Sequence, residues 1–187
     1  MMKLKTFLLY GLLVVAALSC GPKESGVGLE KLPYFDLKSF VNLQAQRLNE
    51  KSVLKSSRIN GEEETAEQVY SEQDWKEEFD AFIQADINTP SLALSYSTEV
   101  FHDNLIHRLL PDEKGKVKEI KVRYVRDLPV EVSFKLQESN LFFSATTFGS
   151  IFINQQTQLV DHYSIETTQK VMFLKPTNIK IQGVVRQ

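Results

Sequence analysis

The apolar positions of this chain fall into three regimes, and their order predicts an architecture. The first is unbroken: Thr6 to Leu18 is almost wholly apolar. Beyond Pro33 the spacing turns helical, with Leu37, Phe40, Val41 and Leu48 at i, i+3, i+4 and i+11 and Asp36 placed to cap the first turn. A helix is expected over roughly 36–49. A second stripe, Trp75, Phe79, Phe82, Ile83 and Ile87, leaves Lys76, Glu77, Glu78 and Asp80 on the other side, and Asn88-Thr89-Pro90 stops it. Trp75, the one tryptophan, sits at helical spacing from two phenylalanines and is expected in the core against a sheet.

The third regime has a period of two. Between the helices, Ser52 to Ile59 and Glu62 to Tyr70 flank Asn60-Gly61, a dipeptide that favours a two-residue hairpin because both positions accept positive φ. The first arm puts Val53, Lys55, Ser57 and Ile59 on one weakly apolar face, which suits a sheet edge, and Glu62, Glu63 and Glu64 would be solvated and discourage edge pairing. After Pro90 the alternation persists: Leu92, Leu94 and Tyr96; Ile120, Val122 and Tyr124; then, past a turn at 127–129, Val130, Val132, Phe134 and Leu136. Further strands fit 104–110, 141–148, 159–167, 170–175 and 179–185. The expected fold is α+β: an antiparallel meander of six to eight strands with both helices of the N-terminal half packed on its apolar face. Leu141 to Phe152 breaks the alternation, since Leu141, Phe143 and Ala145 point one way and Phe142 and Phe148 the other. Either that second face packs under the C-terminal strands or a loop, or it is an apolar surface for a partner or an acyl chain.

The leading apolar run, preceded by Lys3 and Lys5, is too short for the roughly 20 residues that span a bilayer and reads as the h-region of a signal peptide over residues 1–19. It ends at Ala17-Leu18-Ser19-Cys20, which resembles the lipobox of bacterial lipoproteins; Ala17 departs from the usual Leu or Val. The resemblance implies cleavage before Cys20, a diacylglyceryl thioether and an N-acyl group, which make a stable anchor where one chain would be marginal. An ordinary secreted protein cleaved near Ser19, or an uncleaved anchor, would leave the position of the sole cysteine a coincidence. Residues 20–32, with three glycines and a proline, read as the lipidated cysteine and a flexible tether with a reach of roughly 20 Å, and 33–187 as one domain. Gly21 after the cysteine resembles the default outer-membrane sorting of Gram-negative lipoproteins.

Charge and chemistry narrow the function classes. With 22 basic and 24 acidic residues the chain carries a formal charge of −2, and no basic stripe suggests nucleic acid. An acylated Cys20 leaves no thiol for redox or nucleophilic work. There is no Gly-x-Ser-x-Gly, phosphate-cradling loop or Cys-x-x-Cys. His102 and His107 are five apart and cannot share a metal on a strand or helix, and the adjacent Asp161 and His162 would point to opposite faces of a strand. Asp36, Asp74, Asp86 and Asp103 read as caps and turn residues rather than a carboxylate pair. No catalytic residue, metal or cofactor is implied; the one assigned site is lipidation at Cys20.

The Tyr34-Phe35-Asp36-Leu37-Lys38 start, the Asn-Gly hairpin, the Trp75 helix ending Ala85-Asp86-Ile87-Asn88-Thr89-Pro90 and the strand-rich second half resemble a group of small bacterial envelope lipoproteins. That resemblance implies a fold and an address, with no activity attached. In architecture alone the chain is also similar to outer-membrane lipoprotein carriers and receptors, whose curved sheet shelters acyl chains. The leading expectation is a non-catalytic envelope lipoprotein, an accessory or assembly subunit that docks to another envelope protein. A periplasmic lipid or hydrophobic-ligand carrier is the alternative, and an enzyme the third.

Overall fold

The computed structural model describes residues 32–186. The expected signal peptide, the expected lipidation site Cys20 and most of the expected tether lie outside the described residues. Three short helices, α1 (Leu37–Arg47), α2 (Glu72–Glu78) and α3 (Asp80–Gln84), accompany nine strands: β1 (Lys51–Ile59), β2 (Glu62–Tyr70), β3 (Tyr96–Phe101), β4 (Asn104–Leu109), β5 (Val117–Val125), β6 (Leu128–Ser139), β7 (Phe143–Ile153), β8 (Val160–Val171) and β9 (Thr177–Val185). All nine form one antiparallel sheet in the order β2-β1-β9-β8-β7-β6-β5-β4-β3. The protein is therefore mostly β. Strands β3 to β9 are the expected meander, and the Asn60-Gly61 hairpin extends it because β1 pairs with β9, a contact between chain ends that periodicity cannot reveal. This accounts for nine strands where six to eight were expected.

Other boundaries move for local reasons. Leu92 and Leu94 precede the sheet: Pro90–Leu92 is a 3-10 turn and β3 starts at Tyr96. The segments expected as strands at 159–167 and 170–175 are one strand followed by a turn. The Trp75 helix is divided at Phe79, so that Trp75, Phe79 and Phe82, spaced four and then three apart, all stay on the sheet side and wholly buried. Its start is fixed by a capping box in which Ser71 and Asp74 satisfy each other's backbone N–H groups. Asp36 caps α1 as expected, accepting from Ser39 N–H at 2.9 Å.

The core lies between the helices and one face of the sheet. Register places Lys55, Gly183, Tyr163, Ile151, Val132, Val122 and Leu105 in one row across that face, and Ile181, Ile165, Gly149, Phe134, Ile120 and His107 in the next. Two of these positions are glycine for reasons of space. A Cβ at Gly149 would enter the Phe134 ring, and one at Gly183 the Tyr163 ring, so each aromatic lies over its cross-strand glycine. Trp75 meets Tyr163 edge-on at 6.3 Å, Phe79 meets Tyr163 at 5.2 Å and Phe82 meets Phe134 at 4.9 Å. Trp75 Nε1 donates to Leu48 O at 2.8 Å, tying α2 to the end of α1.

Candidate functional site

Two polar groups of the inner face come closest to chemistry. Glu78, at the end of α2, points at the sheet, where Lys55 Nζ lies 2.6 Å from Oε2, Tyr70 OH donates to Oε2 at 3.2 Å and Tyr163 OH donates to Oε1 at 2.9 Å. Burial works against the Lys55 charge, but the Glu78 partnership outweighs it and holds the ammonium above its usual pKa. Burial and the neighbouring carboxylate push the Tyr163 and Tyr70 phenols up, so both remain donors. The cluster neutralises itself, and it fixes α2 over β1, β2 and β8.

His107 is the second. It is buried on β4; Nε2 accepts the Phe35 N–H at 3.1 Å, and Nδ1 and Thr98 Oγ1 are 2.9 Å apart. Burial lowers its pKa, and an acceptor at Nε2 requires the neutral ring, so the imidazole seats the start of the domain. His102 is far from it in register, at the β3–β4 turn with φ 52°. Asp161 and His162 do not oppose each other as expected. The register shift between Phe152 and Ile153 makes Asp161 the extra residue of a bulge, which brings its Oδ2 2.8 Å from His162 Nδ1 while the imidazole stacks on Phe152. Of the aspartates read as caps, Asp36 and Asp74 cap helices, whereas the half-buried Asp86 accepts from Asn88 Nδ2 at 3.2 Å and is pushed up by burial. Among the described residues no group of three or more His, Cys, Asp or Glu could hold a metal, and no helix is long and apolar enough to cross a membrane.

The surface distinguishes the two edges of the sheet. On β2 every residue from Glu62 to Val69 is exposed, and Glu62, Glu63, Glu64 and Glu67 line it, with Glu63 paired to Arg58 at 2.8 Å and Glu67 to Arg186 at 3.8 Å. On β3 the one charged residue, Glu99, is paired with Arg108 at 2.8 Å, while Val100 is 75% and Phe101 64% exposed. Beside them a cleft of about 410 Å³ is lined by Val100, His102, Asn104, Tyr124, Arg126 and Asp127. Asn104 Oδ1, at its wall, is a buried acceptor with no donor within reach. Sequence reasoning missed this edge, because the alternation of β3 does not reveal that β3 ends the sheet.

These features define a class by architecture: a single large antiparallel sheet whose one face is covered by short helices and whose edges differ in charge. Comparison with family models, with characterised proteins and with solved structures finds no match.

Proposed function

We propose that this chain is a non-catalytic lipoprotein of the bacterial cell envelope, held on the outer membrane by acylated Cys20, that serves as an accessory or assembly subunit by docking to another envelope protein through the β3 edge. The observation that carries the docking mode is the contrast between the edges: β2 is guarded by four glutamates, which deter strand addition, while β3 presents Val100 and Phe101 beside open backbone groups. A strand of the partner would add to β3 by main-chain hydrogen bonds, with Val100 and Phe101 reading its side chains and the adjacent cleft taking one of them.

The interior supports docking over carriage. A carrier needs an apolar chamber between sheet and helices, and that space is occupied by Trp75, Phe79, Phe82, Phe134 and Tyr163 in mutual ring contact. The Glu78 cluster and His107 are likewise occupied in holding helices and chain start to the sheet.

The test is site-specific photo-crosslinking in native membranes, with a photoreactive side chain placed in turn at each position from 97 to 101. Strand addition predicts one protein adduct whose yield alternates along β3 and is abolished by Phe101→Lys. Uniform yields, or an adduct indifferent to Phe101→Lys, would reject the β3 edge as the docking site.

A further inference from the structure

At the end of the sheet where β6 turns into β7 and β8 into β9, five large apolar side chains stand in solvent. Leu141 is 83% and Phe142 67% exposed on the first turn; Met172, Phe173 and Leu174 are 41%, 97% and 65% exposed on the second. Met172 N–H donates to Phe142 O at 2.8 Å, so the two turns form one tip. The tip is built rather than frayed: Asn140 Oδ1 accepts from the N–H groups of Phe142 and Phe143, and Leu174 N–H donates to Val171 O. Phe173 takes φ 66°, a conformation that costs a non-glycine residue energy, and its ring points outward.

We propose that this tip inserts into the interfacial layer of a phospholipid bilayer. Exposure favours lipid: the apolar residues sit on the turns that end the sheet and stand 41–97% exposed, which suits a soft apolar medium. Charge favours it too. The charged residues of segments 139–143 and 170–175 are Lys170 and Lys175, both basic, and the nearby Glu138 is neutralised by Lys116 at 2.6 Å. Lysines flanking an apolar tip suit anionic headgroups above an acyl boundary. The inference rests on the anchored reading only for which membrane the tip meets.

The full mature chain, reconstituted in phosphatidylcholine vesicles containing phosphatidylglycerol and acyl chains brominated near the carbonyl, tests this with single-indole reporters. Phe173→Trp is compared with Val100→Trp at the far end of the sheet, and the buried Trp75 of the parent chain gives the background. The expected result is a blue shift and a loss of about half of the emission added by Phe173→Trp, because side chains seated about 5–10 Å into the headgroup–acyl boundary lie within reach of the bromines. The Val100→Trp emission should be unquenched, and phosphatidylglycerol should deepen the Phe173→Trp quenching. Equal, water-like emission from both variants would overturn the proposal. So would protection of the Phe173→Trp indole in native membranes but not in protein-free vesicles, which would assign the tip to a protein. Vesicle flotation of the parent chain reports the anchor separately, so loss of flotation would count against acylated Cys20 and leave the quenching result to judge the tip.

Discussion

At the helix-covered part of the sheet Trp75, Phe79 and Phe82 are wholly buried, whereas at the turn end Phe142 and Phe173 stand in water. Both sets are aromatic and both sit on ordered backbone, so residue type does not separate them. Cover does: α2 and α3 carry the first set on the side that meets Tyr163 and Phe134 of the sheet, and among the described residues nothing lies over the second. Burying a large side chain stabilises a fold by about 1.5–3 kcal/mol, and the turn end forgoes that gain. The proposed insertion of the tip in a bilayer would account for apolar surface left uncovered on built turns.

Mutations can break this comparison at either end. The largest effect belongs to Trp75→Ala, which should destabilise the domain by about 3–5 kcal/mol in chemical denaturation, losing both the packing and the Nε1 bond to Leu48. An unchanged midpoint would mean that the helices do not cover the sheet as described. Glu78→Gln comes next. It leaves Lys55 without its anionic partner and weakens two phenol bonds, for a loss of about 1–3 kcal/mol. A variant as stable as the parent would show the cluster to be expendable.

Acidification should act through His107. Burial lowers its pKa below the ordinary 6.5, so the unfolded chain binds the proton more readily than the native one, and stability present above about pH 6.5 is lost as pH falls below it. Between pH 7 and pH 5.5 this contribution should lower Tm, and His107→Gln should remove that part of the dependence. A His107→Gln profile that follows the parent's would place the titration elsewhere. The smallest effect should come from Phe142→Ser with Phe173→Ser: stability within about 0.5 kcal/mol of the parent, with attachment to vesicles reduced. A large loss of stability would show that the tip belongs to the core.

The sequence revealed most where period and neighbourhood coincide. The β5–β6 pair, the Asn60-Gly61 hairpin, the Asp36 cap and the buried Trp75 were all legible, since each depends on residues close along the chain. What stayed hidden depends on distant pairing. Nothing near Val53 announces that β1 joins β9, so the strand number and the identity of the edges could not be read. The broken alternation over Leu141–Phe152 left open a packed second face or an exposed apolar one, and only the bond between Met172 and Phe142 unites its start with the β8–β9 turn. The Asp161–His162 contact was hidden for the same reason: a bulge is defined by its partner strand.

Intact-mass measurement of the protein extracted from its native membranes tests the central claim most directly. The account predicts a chain that begins at Cys20, heavier than its residues by a diacylglyceryl group and an N-acyl group. A chain beginning elsewhere, or one beginning at an unmodified Cys20, would contradict it.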